Sequence, residues 1–299
     1  MYADLDTLLT ALYVKIDDLL TTRRRGRRVG RPPRFTDAEL VTVAVAQAVL
    51  QVPSERRWLR IIDRFLAGMF PHLPQQPGYK RLRAALPLLK TAMRELATDC
   101  DFWHDDVWII DSTPVECARS IATRRRSALA GWASYGHCSA HNRFFWGLRL
   151  HLVCTPHGLP ITWALAGAKI DEREVMTAIF DREPQLLTGR PGQTIIADRG
   201  YTSGIFETAL ADRGTRLLMP AYRNRRPRPG AHLTKPVRQL IEAVNGTLKA
   251  QLDLERHGGR TLDGVAARIA QRILALTAVI WHNHHTGQPV MRSLIAYDH

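Results

Sequence analysis

The chain has 299 residues, of which 45% are hydrophobic, and it is strongly basic, with a formal net charge of +14. This length and apolar content are sufficient for two domains with substantial cores. A globular chain this basic is expected to bind a polyanion, and nucleic acid is a stronger candidate than an anionic membrane.

Several sequence features argue against a membrane protein or a secreted one. The longest apolar run, residues 273–281, is shorter than the ~20 residues of a bilayer-spanning helix. Residues 1–20 contain four aspartates, which is not typical of a signal peptide. The four cysteines form no Cys-x-x-Cys pair, so neither a zinc knuckle nor a disulfide framework is indicated. We therefore expect a cytoplasmic protein with reduced thiols and no membrane partner.

Residues 1–103 have helical periodicity and predict an all-helical, basic N-terminal domain that binds DNA. Apolar residues recur at helical spacing over residues 4–20. Residues 23–34 then contain seven arginines and no acid, and their glycines and prolines predict an extended linker. This linker either lies in a narrow minor groove or touches phosphates only. Its candidate DNA-binding residues are Arg27, Arg28 and Arg31.

A helix-turn-helix is predicted after the linker. Thr36 and Glu39 have the spacing of a capping box before an apolar helix. Ser54 is placed to cap a following helix that carries Arg56 and Arg57 as candidate DNA contacts. An apolar helix, a short turn and an arginine-bearing helix suit DNA binding, although helical hairpins without that role share the pattern.

The periodicity changes to that of strands at Val107, which predicts a second domain over residues 104–299. Residues 107–111, 144–155 and 160–166 suit an antiparallel meander. A helix and another short apolar run follow, and this alternation indicates a parallel part of the same sheet. The predicted fold class is therefore α/β, with a ribonuclease-H-like mixed sheet flanked by helices.

Two further basic stretches in this domain are expected to contact DNA. The insertion over residues 115–143 combines Arg124 and Arg125 with nearby aromatic residues, a combination that binds backbone and stacks on bases. An exposed loop with packed aromatic residues would have the same composition. The second stretch is a proline-containing loop with Arg225 and Arg226.

Two aspartates occur in the same local setting. Asp111 follows a β-branched and aromatic run, and Asp198 follows a shorter β-branched run. Turn-forming residues come directly after each of them, so each aspartate is predicted to end a strand. Catalytic groups gather at the carboxyl ends of strands in α/β sheets, where these two would lie side by side. An aspartate that merely opens a turn has the same local pattern.

The helix predicted after Pro236 offers a third carboxylate. Arg238, Glu242 and Lys249 lie about one and two turns apart, and hence on one face. This face is either an exposed salt-bridged surface or a functional one, with Glu242 facing the aspartates and both basic residues meeting phosphates. Three carboxylates suit phosphodiester cleavage with two Mg²⁺, which prefer oxygen ligands.

At these motifs the chain resembles bacterial insertion-sequence transposases of the DDE type, in the group numbered nine-eight-two. The resemblance extends over essentially the whole chain. It rests on five segments, which contain Asp111, Asp171, Asp198, Glu242 and Trp281. Related DDE families have Tyr-x2-Arg-x3-Glu-x6-Lys around the third acid. Arg238 and Lys249 match this pattern, whereas Lys235 replaces the tyrosine.

The resemblance implies that Asp111, Asp198 and Glu242 are catalytic and bind two Mg²⁺, with Mn²⁺ as a substitute. It also implies recognition of terminal inverted repeats, cleavage of the element's ends and their transfer to target DNA. A homodimer on DNA and a bacterial, nucleoid-associated location are expected on the same basis. Two alternatives stay open: a ribonuclease-H-like nuclease, and a DNA-binding protein or decayed copy without catalysis.

Overall fold

A computed structural model of the protein describes residues 3–23, 33–138, 142–220 and 234–297. The described chain forms two compact units, one of residues 1–100 and 248–299 and the other of residues 101–247. The first unit ends at residue 100, and residues 248–299 belong to the same unit as the N-terminal helices. The division into a DNA-binding domain over residues 1–103 and a catalytic domain over residues 104–299 stays a prediction.

Within the described residues, strands occur in the second unit, where they alternate with helices. The α-helices, in chain order, are α1 (Ala3–Arg23), α2 (Asp37–Val49), α3 (Glu55–Ile61), α4 (Asp63–Leu66), α5 (Gln76–Tyr79), α6 (Leu86–Thr98), α7 (Ile121–Arg125), α8 (Glu172–Arg182), α9 (Gln185–Thr188), α10 (Gly204–Ala211), α11 (Thr234–Ala250) and α12 (Leu262–His285). The strands are β1 (Val107–Ala118), β2 (Ser134–Cys138), β3 (Arg143–Cys154), β4 (Pro160–Gly167), β5 (Thr194–Ile196) and β6 (Arg216–Leu218).

The first unit has a helical core built on α2 and α12. The capping box of α2 is present, with Thr36 Oγ1 accepting from Glu39 N at 3.1 Å. Nearly all of α2 is buried, since alanine, valine and leucine occur on every side of it. Helix α12 has the length and apolar composition of a membrane span, but 89% of its most apolar window is buried inside the protein. It is therefore packed as a core helix.

Buried polar contacts explain why the C-terminal helix belongs to this unit. Arg268 of α12 donates hydrogen bonds to Gln47 at 3.0 Å and to Gln271 at 2.8 Å. The same guanidinium forms an ion pair with Glu55 of α3. A buried arginine needs such partners, so these contacts hold α12 against α2 and α3.

Helices α2 and α3 are the predicted helix-turn-helix. Ser54 caps α3 as expected, with its Oγ accepting from Arg57 N at 3.2 Å. Trp58 is fully buried and anchors α3, whereas Arg56 and Arg57 are exposed. Binding of DNA by these arginines stays a prediction. The candidate contacts Arg27, Arg28 and Arg31 lie outside the described residues.

The second unit is a mixed sheet with helices. Strand β3 pairs antiparallel with β1, β2 and β4, and β5 pairs parallel with both β1 and β6. The predicted antiparallel meander is thus confirmed in β1, β3 and β4, and the predicted parallel half in β5 and β6. Strand β2 comes from the insertion and adds a hairpin to β3.

The prediction that β1 ends at Asp111 is wrong. The strand continues to Ala118, because β3 pairs with it from Ile109 onwards, through Asp111↔Leu152 and Pro114↔Arg149. The parallel partner β5 pairs with residues 107–109 of β1, and beyond them no described strand pairs with that side of β1. Pro114 is tolerated there because that side needs no ladder donor.

Candidate active site

The register of the parallel strands gives Asp111 and Asp198 equivalent positions. The last parallel pair is Ile109↔Ile196, and each aspartate lies two residues beyond its member of that pair. Both aspartates line one pocket, together with Arg238 of α11. Because the pairing with β5 ends at Ile109, Asp111 lies beyond the parallel part of the sheet, although β1 itself continues to Ala118.

Asp198 is held by the turn that it opens. Its Oδ1 accepts a hydrogen bond from Gly200 N at 2.7 Å, which caps a 3-10 turn over Arg199–Tyr201. Asp198 therefore both caps this turn and lines the pocket that contains Asp111.

The carboxyl group of Asp111 is in an environment that disfavours its charge. Its pKa is raised to about 7, mainly by burial and in addition by the charges of Asp198 and Glu172, while a hydrogen bond from the Ser112 backbone and the charge of Arg238 lower it. Asn245 of α11 donates from Nδ2 to Asp111 Oδ2 at 2.8 Å. The site thus concentrates negative charge that a cation would compensate.

Glu172 is the third acid near the two aspartates, and it was not predicted as a site residue. Its Oε1 accepts hydrogen bonds from Ser112 Oγ and from Arg149 Nη1, the latter at 3.0 Å. A Cβ atom at Gly200 would lie 2.9 Å from Asp198 Oδ1 and 3.2 Å from Glu172 Oε2. The sum of these two distances is the upper limit for the separation of the two carboxylate oxygens.

Glu242 forms an ion pair on the surface of α11, and its role as the third catalytic acid stays a prediction. Its side chain is 56% exposed, and its Oε1 accepts from Arg238 Nε at 2.9 Å. The buried positions of α11 among the described residues include Ile241, Val244, Asn245 and Leu248. Asn245, three residues after Glu242 and hence its neighbour on the helix surface, donates to Asp111.

Two buried oxygen atoms in this region have no hydrogen-bond partner among the described residues. They are Asn245 Oδ1 and Tyr201 Oη. The charges of Glu172, Asp111 and Asp198 all raise the pKa of Tyr201, after the larger effect of burial. Carboxylate, amide and hydroxyl oxygens are suitable donors for a hard divalent cation. The donor chemistry therefore fits Mg²⁺.

The carboxylates nevertheless do not form a common coordination sphere in this arrangement. Within residues 3–23, 33–138, 142–220 and 234–297, no three histidine, cysteine or acidic side chains lie close enough to hold one metal ion. Any cation held here would rely first on Asp111 and Asp198, which share the pocket.

The other residues that are predicted to contact DNA lie on α7, on α11 and in a segment outside the described residues. Arg124 lies over the ring of Tyr135, 5.0 Å from its centroid, and donates to its hydroxyl. Arg125 is exposed, and Lys249 is half-buried at the end of α11. Arg225 and Arg226 lie outside the part of the chain that the structure describes, as does the side chain of Lys235.

Comparisons with known proteins identify the family. The family model of the transposase DDE domain matches residues 103–278. Among solved structures, the chain is similar to piggyBac transposase in a synaptic complex with hairpin DNA, with a TM-score of 0.44 and 10% identity over 98% of this chain and 76% of that one. A search of curated proteins found no match. Because the matched region spans more than half of the chain, this protein belongs to the family of transposases with a DDE domain.

Proposed function

We propose that this protein is the DNA transposase of a bacterial insertion sequence of the group numbered nine-eight-two. It binds the terminal inverted repeats of its element, cuts the ends and transfers them to target DNA. The observation that carries the proposal is the equivalent placement of Asp111 and Asp198 beyond the β1–β5 pairing, inside the matched DDE domain. The strand order and the parallel half of the sheet support a ribonuclease-H-like fold for this domain.

The chemistry follows from the oxygen atoms of the site. Asp111 and Asp198 hold Mg²⁺, or Mn²⁺ in its place, and Asn245 orients Asp111. When bound, the cations neutralise phosphate charge and activate the attacking water or 3′-hydroxyl. Arg238 lines the same pocket and binds a backbone phosphate. By its resemblance to other DDE enzymes Glu242 is the third catalytic acid, a role that requires its salt bridge with Arg238 to open.

The remaining roles in this proposal belong to the basic parts of the chain. The helical N-terminal unit and the Arg-rich segment bind the inverted repeats, and the protein acts in the cytoplasm at the nucleoid. A homodimer pairs the two ends of the element. The net charge of +14 supports a DNA partner.

The test is an assay of the purified protein with labelled element ends and Mg²⁺, beside Asp198→Ala. The wild-type protein should cut the ends and join them to a target plasmid, whereas the variant should bind the ends without either reaction. Equal cutting by both proteins would remove Asp198 from the mechanism. Cutting without joining would instead indicate a nuclease.

A second candidate is a DNA-binding protein without catalysis. It is favoured by the ion pair of Glu242 with Arg238 and by the hydrogen bond from Asn245 to Asp111, which occupy two of the three predicted catalytic acids. Specific binding of the inverted repeats, with no cleavage in Mg²⁺ or Mn²⁺, would support this candidate.

A further inference from the structure

We propose that Glu172 is a positioning residue for Asp111 and Asp198, and that it sets the affinity of this pair for a divalent cation. The inference rests on the proposed metal-dependent function and assigns one more residue to the same site. It concerns a side chain of α8 that no local sequence pattern associates with the two aspartates.

The first support is the way in which the Glu172 carboxylate is fixed. Its Oε1 accepts from Ser112, the residue directly after Asp111 on β1, and from Arg149 of β3. Arg149 also donates to Ser112 Oγ at 2.8 Å and to the carbonyl oxygen of His137 at 2.8 Å. Only 18% of the Arg149 side chain is exposed, so this ion pair is shielded from solvent. Glu172 therefore has one defined orientation relative to β1.

The second support is the proximity of the other Glu172 oxygen to the Asp198 turn. A side chain at Gly200 would meet both Glu172 Oε2 and Asp198 Oδ1, so these two oxygens lie beside the same face of the glycine. Gly200 N already donates to Asp198 Oδ1. Glu172 thus accepts a hydrogen bond from the strand of Asp111 through one oxygen, and its other oxygen lies beside the turn of Asp198. This placement allows Glu172 to orient the two aspartates relative to each other.

The third support comes from buried oxygens that lack partners. Asn245 is 7% exposed and Tyr201 is fully buried, and neither Asn245 Oδ1 nor Tyr201 Oη has a hydrogen-bond partner among the described residues. Asn245 contacts Asp111 through its Nδ2. Burial raises the pKa of Tyr201 most, and the charge of Glu172 makes the next largest contribution in the same direction. Unsatisfied buried oxygens beside several carboxylates point to a bound cation with its water.

Glu172 acts through the aspartates and not as a third ligand in common with them. In the described part of the chain, no three acidic side chains lie within reach of a single ion. A carboxylate outside the coordination sphere still raises cation affinity by orienting the ligands and adding negative charge. Changing such a residue typically weakens metal binding by about 10–100-fold.

The experiment measures Mn²⁺ binding to the full-length protein without DNA, by electron paramagnetic resonance of the free ion. We expect Glu172→Gln to weaken Mn²⁺ binding by about 10-fold or more. Glu174→Gln is the matched control, because Glu174 is an exposed acid in the same turn of α8, and it should bind Mn²⁺ as the wild type does. Raising the Mg²⁺ concentration should restore DNA cleavage to Glu172→Gln but not to Asp198→Ala.

Two further variants distinguish a failure of the inference on Glu172 from a failure of the proposed metal role. Asp198→Asn should abolish Mn²⁺ binding. If it does, and Glu172→Gln still binds as the wild type does, the inference on Glu172 is overturned while the proposed function stands. If Asp198→Asn binds normally, the proposed metal role itself fails. Should Glu172→Gln not fold, Ser112→Ala tests the same contact, since it frees Glu172 Oε1 on one side, and unchanged Mn²⁺ affinity in that variant would overturn the inference.

Discussion

Asn245 donates a hydrogen bond from its Nδ2 to Asp111 Oδ2 at 2.8 Å, and this bond connects α11 with β1 at the candidate active site. The two residues are 134 positions apart in the chain. The bond occupies one oxygen of a carboxyl group whose pKa is raised, and it leaves Asn245 Oδ1 buried without a partner among the described residues. Asn245 thereby fixes the orientation of Asp111.

Removal of this amide should reduce stability. We expect Asn245→Ala to lower the free energy of unfolding by about 1–3 kcal/mol, because a buried carboxyl oxygen loses its donor. Urea denaturation measures the change, and Gln239→Ala, at an exposed position of the same helix, is the control with little effect. A loss of the same size in both variants would assign the effect to helix α11 in general and not to the bond.

Replacement of Asp111 by asparagine should have opposite effects on stability and on cation binding. The folded-state pKa of about 7 exceeds the ordinary value of 3.8, so Asp111 favours folding below pH 4 and loses this contribution as the pH rises through 7. Asparagine does not ionise, so the Asp111→Asn variant does not lose folding stability in this way as the pH rises. We expect Asp111→Asn to be more stable than the wild type at pH 8 in a chelator, by on the order of 1.4 kcal/mol for each unit of the shift.

Thermal unfolding with and without Mn²⁺ tests the expected loss of cation binding in Asp111→Asn. The wild-type protein should gain stability on addition of Mn²⁺, since a ligand that binds only the folded state stabilises it. The Asp111→Asn variant should gain little. An equal gain in both proteins would show that Mn²⁺ binds elsewhere.

Local sequence patterns were sufficient to predict most elements of the second unit and the equivalence of its two aspartates. β-Branched runs predicted β1, β3, β4 and β5, and the turn residues after Asp198 marked a true strand end. The same reasoning failed at Asp111, where Ser-Thr-Pro predicted a strand end. The length of β1 is decided by its antiparallel partner β3, which is a long-range contact that local propensity does not contain.

The face of α11 shows a different limit. The spacing of Arg238, Glu242 and Lys249 correctly indicates a shared face, but spacing alone does not determine whether that face points inward. The apolar residues Ile241 and Val244 were the available signal, since a helix buries its apolar side. Asn245 is buried together with them, whereas Glu242 is exposed.

Glu172 had no distinctive signal in the sequence. Acids in the first turn of a helix are common because they interact favourably with the helix dipole, and Glu172 and Glu174 are equivalent in this respect. Glu172 is distinguished by its contacts with Ser112, 60 residues earlier in the chain, and with Arg149 of β3. Such a pairing depends on how α8 packs against the sheet.

Gly147 should be intolerant of any side chain. It lies in β3 opposite both Glu116 of β1 and Ser134 of β2, and a Cβ atom there would be 2.1 Å from the backbone oxygen of Val115. The sheet would have to separate, so we expect Gly147→Ala to cost about 1–3 kcal/mol or more. Gly189→Ala is the control, because its Cβ would have its nearest neighbour at 3.9 Å. Equal urea midpoints for the two variants would contradict the close approach.

His151 should make the protein sensitive to acid. It lies in β3 with no exposed surface, and neither ring nitrogen has a hydrogen-bond partner among the described residues. Burial lowers its pKa from 6.5 to about 4, and the charge of Arg149 contributes. The folded protein therefore binds fewer protons than the unfolded chain between these values, so the stability is complete above pH 6.5 and declines as the pH falls to 4.

The size of this effect follows from the shift, which corresponds to about 3 kcal/mol. We expect His151→Leu to lose less stability than the wild type between pH 7 and pH 4, by about that amount, in urea denaturation. His104→Leu, at an exposed position of the same unit, should keep the pH dependence of the wild type. If His151→Leu and the wild type decline in parallel, the imidazole is protonated in the folded state, and the acid sensitivity arises from other groups.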